Sequence, residues 1–386
     1  MPPIAVLDDD PTGSQTVHDV AIVMALDEDE LHLAGETTFF LTNTRSLGEP
    51  EAAELTERVA RTLFERDPGV EIVSRSDSTL RGHVAAEVAA IRRASPEPYD
   101  GVLLVPAFFE AGRYTRGDVH YAGEVPVGET EFARDATFGY RSSNLIDFVR
   151  EKTGEDAHSV SADDCDALTA GGWIVVNAES YEDLEAVVRA VRDSGRRFLY
   201  RSGPSFVRAL AGLPAKPPLR DVATGDGHGL VVVGSHVGLT TRQVEATTGL
   251  REFELDVEAL DPEGIGARVR EALATDDVLI YTSRTLRCGG LETAREVSRA
   301  VTQVVRIALD ARPGWVIAKG GITSHDVAVH GLGIRRATVL GQLLPGMISV
   351  FRPTEADPRA VGIPYVVFAG NVGDEHTLAE IVERFR

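Results

Sequence analysis

Ile4-Ala5-Val6-Leu7-Asp8-Asp9-Asp10-Pro11-Thr12-Gly13-Ser14-Gln15 runs four apolar side chains straight into three carboxylates, followed by Pro, a hydroxyl and Gly. A short apolar run bounded by turn formers reads as a strand buried on both faces. Glu71–Ser74 repeats the pattern and runs into Arg75-Ser76-Asp77-Ser78-Thr79-Leu80-Arg81-Gly82-His83, where an acid and hydroxyls again lie beside arginines. Strands buried on both faces belong to parallel sheets covered by helices, and open α/β sheets collect ligands where their strands end. Two chemically dense segments, each leaving a strand, therefore predict one shared polar site on an α/β fold.

The 386 residues exceed the size at which single cores stop growing, so two domains are expected. The Pro- and Gly-rich stretch Leu213–Gly229 marks the boundary. It places one domain at residues 1–213, a linker at 214–229 and a second domain at 230–386. In the first, strands fit Ile4–Leu7, Val20–Met24, Thr38–Leu41, Glu71–Ser74, Gly101–Val105, Trp173–Val176 and Phe198–Tyr200. Helical periodicity fits Pro50–Arg66, Val84–Arg93 and Tyr181–Ser194, whereas Glu110–Tyr140 reads as a long irregular segment with room for short strands. In the second, strands fit Leu230–Val233, Val278–Tyr281, Trp315–Ala318 and Tyr365–Phe368, and helices fit Glu263–Ala274, Leu291–Ala311 and Glu375–Phe385. Strands alternating with helices make both halves α/β, each a mostly parallel sheet flanked by helices, with an active site expected in the cleft between them.

Charge and cysteine content narrow the partners. A formal net charge of -21 argues against nucleic acid or an anionic membrane, yet leaves room for an anionic small molecule at a local cluster of arginines. Among the 39 basic residues only Lys152, Lys216 and Lys319 are Lys, an excess of Arg that biased genomic composition explains well. Cys165 and Cys288 lie far apart with no metal-type spacing, no apolar stretch approaches membrane-spanning length, and no signal-peptide pattern opens the chain. The expectation is a cytoplasmic protein, and a homodimer is compatible with all of this.

Three adjacent acids repel, and burial raises their pKa values unless a cation or hydrogen bonds compensate. Two uses follow for Asp8, Asp9 and Asp10: holding a divalent cation, or accepting a proton from a substrate hydroxyl. A helix cap or Asx turn before Thr12 accounts for one acid, not three. The same residues fit D-x-D-x-T, the strand end of haloacid-dehalogenase-like phosphatases, in which Asp8 is the nucleophile and Asp10 the acid/base, with Lys319 and Asp374-Glu375 downstream. That reading leaves the second acidic segment without a role. There, Arg75 and Arg81 present forks for a carboxylate or phosphate, and Asp77, Ser76, Ser78 and Thr79 present groups for sugar hydroxyls. A cap on the following helix explains one hydroxyl only. Thr42-Asn43-Thr44-Arg45-Ser46 repeats the theme at a third strand end, and Arg113 with Glu110, Asp118 and His120 follows a fourth. His120 alone reads as structural. A non-catalytic sugar-acid binding protein also fits these segments.

The second half carries different chemistry. Gly234-Ser235, Ala318-Lys319-Gly320-Gly321-Ile322-Thr323 and Ala369-Gly370-Asn371-Val372-Gly373 each follow a predicted strand. Small residues at strand-to-helix turns let backbone N–H groups approach phosphate, although any one such loop is also an ordinary turn. Three together favour a nucleotide, without a P-loop or G-x-G-x-x-G signature. Lys319 supplies charge there or is solvated.

Taken together, these segments resemble the four-carbon acid sugar kinase family across essentially the whole length. Asp9-Asp10-Pro11-Thr12-Gly13 is similar to the family's D-D-x-T-G motif, and Asp77-Ser78-Thr79-Leu80-Arg81-Gly82 matches its D-S-T-L-R-G segment. Gly234-Ser235 is similar to its strand-G-S turn, Gly320–Thr323 to its G-G-E-T loop, and Gly370–Gly373 to its G-N-F-G loop. The chain departs at Ile322, where a carboxylate is usual, at Val372, where an aromatic is usual, and after Gly13, where many members carry a long helix. The resemblance implies a divergent branch that phosphorylates a hydroxyl of a tetronate or 3-oxo-tetronate with ATP and Mg²⁺. It implies an N-terminal substrate domain in which Asp10, slightly ahead of Asp9, activates the hydroxyl. Arg45, Arg75 or Arg81 would pair the substrate carboxylate, with Asp77, Ser78 and Arg113 nearby. It further implies a C-terminal domain holding ATP through Ser235, Gly320, Gly321, Ile322, Thr323, Gly370, Asn371 and Gly373.

Overall fold

The computed structural model describes residues 2–235, 237–283 and 290–386. Cys288 lies outside the described residues. The chain forms two compact units, Met1–Ala215 and Lys216–Arg386.

The first unit is built on strands β1 (Ile4–Asp8), β2 (Val20–Val23), β3 (Thr37–Leu41), β4 (Glu71–Arg75) and β5 (Gly101–Val105). A small antiparallel sheet follows, formed by β6 (Arg113–Arg116), β7 (Val119–Ala122) and β8 (Val125–Pro126). Then come β9 (Ala157–Val160), β10 (Gly172–Val176) and β11 (Phe198–Ser202). The main sheet has the order β2-β3-β1-β4-β11-β5-β10-β9 with every pairing parallel. Helices α1 (Glu49–Arg66), α2 (Val84–Ala94), α3 (Leu145–Thr153), α4 (Tyr181–Asp193) and α5 (Pro204–Leu210) make up the helical part of the unit. Leu7, Ile72, Leu104 and Val175 on the strands pack with Val59 and Leu63 of α1 and Val88 and Ile91 of α2 in one core. β1, β3 and β5 are buried along their whole length, as strands of a parallel sheet covered on both faces are.

Chain order positions the site. β1 is followed by β2 and β3 on one side of it, and the chain then passes through α1 to β4 on the other side. The carboxyl ends of β1 and β4 thus form a topological switch point, where loops leave in opposite directions and open a crevice.

The second unit contains β12 (Gly229–Val233), β13 (Arg251–Leu255), β14 (Val278–Thr282), β15 (Trp315–Lys319), β16 (Arg336–Leu344), β17 (Ile348–Glu355) and β18 (Tyr365–Phe368). Its strand order is β13-β14-β12-β15-β18-β17-β16, parallel as far as β18 and antiparallel through β17 and β16. Its helices are α6 (Gly238–Ala246), α7 (Pro262–Ala272), α8 (Gly290–Ala308), α9 (Gly321–Asp326) and α10 (Thr377–Glu383). Both units are α/β with mostly parallel sheets. The β16–β17 hairpin went unforeseen because its register is irregular and its burial alternates, so no continuous apolar run marks it. No helix among the described residues is long and apolar enough to cross a membrane.

Local capping agrees with these boundaries. The Ser180 hydroxyl accepts the Asp183 N–H at 3.2 Å, and the Asp183 carboxylate accepts the Ser180 N–H at 3.0 Å, a reciprocal cap at the start of α4. Ser180→Ala should therefore cost about 1 kcal/mol of stability, read as a lower midpoint in urea unfolding at unchanged slope.

Candidate functional site

Asp8 ends β1 in register with Leu41 of β3 and Arg75 of β4. Its side chain is fully buried and accepts from Arg75 Nη1 at 2.9 Å. Gly13 folds back so closely that a Cβ there would collide with the Asp8 carboxylate, which is why this turn needs Gly. The Thr42–Arg45 loop after β3 is strapped to the same strand end. Thr42 N–H, Thr42 Oγ1 and Asn43 N–H all donate to the Asp8 carbonyl at 2.9–3.1 Å, and Arg45 N–H donates to the Asp9 carbonyl at 3.3 Å.

The acids and arginines pair off in a definite pattern. Arg45 Nη2 donates to Asp10 Oδ2, while Thr12 donates to Asp10 Oδ1 through its hydroxyl and through its N–H at 2.8 Å. Asp77 accepts from Arg81 Nε at 2.6 Å and from Thr79 Oγ1, with Arg45 Nη1 at 3.6 Å. Behind them, Arg201 at the end of β11 donates through Nη1 to Glu87 of α2 and, at 2.7 Å, to Ser74 Oγ. Glu87 also accepts from Thr44 Oγ1. Asp9 stands apart. It is 1% exposed, lies 3.5 Å from Arg75 Nη1, and neither carboxylate oxygen has a hydrogen-bond donor among the described residues.

The pKa directions follow from these contacts. Burial lifts Asp8 to about 6 despite Arg75. Burial likewise lifts Asp9 to about 7 against Arg45 and Arg75, with Glu87 adding to the rise. For Asp10, burial is outweighed by Arg45 and the Thr12 donors, so it sits below the ordinary carboxylate range. Asp77 is held well down in the same way by Arg45 and Arg81.

The Asp77–Gly82 loop is braced from behind. Leu80 and Gly82 take positive φ angles of 68° and 117°, and a Cβ on Gly82 would lie 2.9 Å from Arg201 Nη2 and 3.1 Å from Asp9 Oδ2. Tyr140 Oη donates to the Thr79 carbonyl at 2.8 Å. His120 Nε2 donates to the Ser78 carbonyl at 2.8 Å, which leaves Nδ1 to accept from Thr115 Oγ1 at 2.9 Å. Burial lowers the His120 pKa to about 4, so the ring is a neutral brace. Ser78 itself is buried beneath the loop.

In the second unit the three glycine loops meet one another. A Cβ on Gly234 would collide with Thr323 Oγ1, one on Gly320 would lie 3.2 Å from Ser235 Cβ, and one on Gly370 would lie 2.7 Å from Ser235 Oγ. Gly320 has φ 116° and Gly373 has φ 81°. Gly321, Ile322 and Thr323 open the short helix α9, and the side chains of Ile322 and Asn371 are exposed at the loop tips. Lys319 is not solvated. Its fully buried Nζ donates to the carbonyls of Ala369 at 3.1 Å and Gly370 at 3.4 Å and lies 3.7 Å from the Phe368 ring centre. Burial lowers its pKa to about 7. Thr240 Oγ1 donates to the Gly370 carbonyl at 2.8 Å, and Gln243 Nε2 donates to the carbonyls of Val372 and Asp374 at 3.1 and 2.6 Å.

The structure thus gathers Asp8, Asp9, Asp10, Arg45, Arg75, Asp77 and Arg81 in one neighbourhood of the first unit, and Gly234, Ser235, Gly320, Thr323 and Gly370 in one neighbourhood of the second, whereas Glu110 is engaged by Tyr181 and Arg208 and Asp118 by Ser159 and Asn177. Glu87, Arg201, Thr240 and Gln243 were missed. Their signal was a polar side chain inside an apolar stretch: Arg201 ends the run Phe198-Leu199-Tyr200, and Glu87 interrupts Val84–Ile91.

Family models for a sugar-binding N-terminal domain and a nucleotide-binding C-terminal domain match residues 4–210 and 230–378. The chain belongs to the four-carbon acid sugar kinase family. Similar family members include a D-threonate kinase of Bordetella bronchiseptica, 28% identical over 89% of this chain and 85% of that one. A D-erythronate kinase of Heliobacterium modesticaldum is 26% identical over 63% of this chain and 60% of that one. A solved Haemophilus influenzae protein shares the fold with TM-score 0.70 and 19% identity, covering 98% of this chain and 99% of that one. Membership in this kinase family removes the phosphatase alternative. The site agrees, since the would-be nucleophile Asp8 is fully buried and clamped by Arg75 and Gly13.

Asp9 carries a measurable cost. Its folded pKa of about 7 lies above the ordinary aspartate value of 3.8, so the folded state binds this proton more tightly than the unfolded chain. That contribution is full below the unfolded value and is lost as pH rises through about 7. Asp9→Asn should raise the melting temperature at pH 8, with a gain that shrinks toward pH 4. A lower melting temperature at pH 8 would show that the ionised carboxylate is stabilised in place.

Proposed function

We propose that the chain transfers the γ-phosphoryl group of ATP to a hydroxyl of a four-carbon sugar acid, with Asp9 accepting the hydroxyl proton. The family match supports the reaction class, and one observation carries the choice of base. Asp8, Asp10 and Asp77 each accept a hydrogen bond from an arginine, whereas buried Asp9, 3.5 Å from Arg75 Nη1, accepts none on either oxygen among the described residues. A general base needs a free lone pair and a pKa near the working pH. Asp10, with both oxygens occupied and its pKa depressed, meets neither requirement and instead fixes Arg45. In this reading the first unit orients the acid, and the glycine loops of the second present N–H groups to the nucleotide phosphates. Phosphoryl transfer then depends on positioning and electrostatics more than on covalent chemistry.

Among the described residues no group of three or more His, Cys, Asp or Glu side chains is placed to hold a metal ion. Magnesium prefers phosphate oxygens, water and one or two carboxylates. In this reading it arrives with the substrate as Mg-ATP, where it neutralises phosphate charge. Lys319 contributes by tying down the carbonyls of Ala369 and Gly370, so that the last glycine loop keeps its shape.

The test is ATP consumption by the purified chain with D-threonate, D-erythronate and 3-oxo-tetronates, each with and without Mg²⁺. ADP should appear only when an acid is present. Asp9→Asn should lower kcat by about 10²- to 10⁴-fold. For the wild type kcat/KM should rise as pH increases through about 7, the value at which Asp9 loses its proton. If Asp9→Asn kept wild-type kcat while Asp10→Asn lost it, the base would be Asp10. Tight acid binding with no ADP formed would leave a binding protein, not a kinase.

A further inference from the structure

Among the described residues, the arginines grouped around Asp8, Asp10, Asp77 and Glu87 are each paired with an acid, except Arg113, which feels Asp77, Arg81 and Arg75 nearby. Arg75 is taken by Asp8, Arg45 by Asp10, Arg81 by Asp77 and Arg201 by Glu87. Arg113, the first residue of β6, makes no ion pair or side-chain hydrogen bond among the described residues, and its buried Nε has no acceptor.

The position of Arg113 is constructed. Its guanidinium lies 5.8 Å from the Phe108 ring centre and 5.6 Å from that of Phe132, and Arg81 packs on the same Phe132 ring at 5.3 Å. Two guanidinium groups are thereby held against one aromatic support. The carboxylates beside Arg81 are committed: Asp77 accepts from Arg81 Nε at 2.6 Å and from Thr79, and Asp135 lies 3.7 Å from Arg81 Nη1 while accepting the N–H groups of Thr137 and Phe138. Burial lowers the proton affinity of Arg113, with Asp77 opposing and Arg81 and Arg75 adding to the effect. Adjacent like charges on partly buried side chains are held at a cost that an anion between them removes.

We propose that Arg113, with Arg81 beside it, binds the carboxylate of the sugar acid and makes the site prefer an acid to the neutral polyol of the same chain length. This rests on the kinase reading above and names the group that sets its substrate class. Asp9 and Arg113 then address opposite features of one ligand, a hydroxyl that must lose a proton and a carboxylate that must stay charged. Arginine suits the second task, because its planar fork meets both oxygens of a carboxylate and its charge is fixed at any working pH.

Calorimetric titration of wild type, Arg113→Met and Arg113→Lys with D-threonate, D-erythronate, the tetritols erythritol and threitol, and ATP tests this. Met keeps an unbranched side chain against Phe108 and Phe132 and removes the charge. Arg113→Met should weaken acid binding tenfold or more and leave tetritol and ATP affinities within twofold, so the preference for acid over polyol collapses. Arg113→Lys should recover part of the loss. The inference is overturned if acid affinity stays within twofold of wild type or if polyol affinity falls equally. A loss confined to ATP would also overturn it and assign Arg113 to a phosphate. The kinase reading fails separately if acids bind in this Arg113-dependent way yet accept no phosphoryl group from ATP. Wild-type protein that binds none of the acids overturns both.

Discussion

The buried pair Asp8–Arg75 is the contact on which the rest of the site depends. The two residues are sheet partners at the carboxyl ends of β1 and β4, both nearly inaccessible, and they meet at 2.9 Å. Charges taken out of water cost several kcal/mol each and recover this only with good geometry and further hydrogen bonds. Here the recovery is incomplete, since Asp8 Oδ2 and Arg75 Nε lack partners and the Asp8 pKa is lifted to about 6. An apolar pair would close these strands with less strain on solvation. What the ion pair adds is fixed register where two loops diverge, so that Asp9 and Asp10 leave the strand at a defined place. The clamped acid and the proposed base are thus neighbours in sequence but differ in setting.

The same logic extends outward. Arg45 closes Asp10, Arg81 closes Asp77, and Arg201 with Ser74 and Thr44 closes Glu87. Each pair is a positioned wall, and among the described residues Asp9 accepts no hydrogen bond and Arg113 has no carboxylate partner. Buried groups without partners are rare in folded proteins, and they concentrate where a ligand completes the set. Stability is given up at these two points, in keeping with the general trade between a fully satisfied interior and a reactive one.

Much of this was legible in the sequence because the decisive strands are continuous apolar runs that end abruptly in charge. β5 and β18 fall on the residues their patterns indicate, and β1, β3 and β4 differ by one residue at an end. The D-S-T-L-R-G segment was recognisable as a unit. Its bracing by His120 and Tyr140 was not, because those contacts bring together residues far apart in the chain. The β6–β8 sheet lies where the sequence left room for short strands, but they could not be placed because they are short and half-exposed, with Tyr114 stacked on Tyr121 at 5.2 Å instead of an apolar core face. Pattern also cannot apportion roles among three consecutive acids. Only the donors around each one, Arg75 of β4 for Asp8 and Arg45 after β3 with Thr12 for Asp10, separate Asp9 from its neighbours.

Lys319 shows the same limit from the other side. A lysine just before two glycines at a strand end reads from pattern as a phosphate ligand or a solvated side chain, and its register on β15 excludes the second. Lys319 pairs with Val233 of β12 and Phe368 of β18, and its side chain is fully enclosed. A buried ammonium without a carboxylate must be satisfied by dipoles, and the carbonyls of Ala369 and Gly370 together with the Phe368 ring supply them. The Gly370 carbonyl also accepts from Thr240, and Gln243 holds the carbonyls of Val372 and Asp374. With those carbonyls drawn into the protein, the flexible glycine segment is given one shape. In both units, therefore, buried polar side chains spend their hydrogen bonds on holding loops, and the groups left for ligands are few and fixed in place.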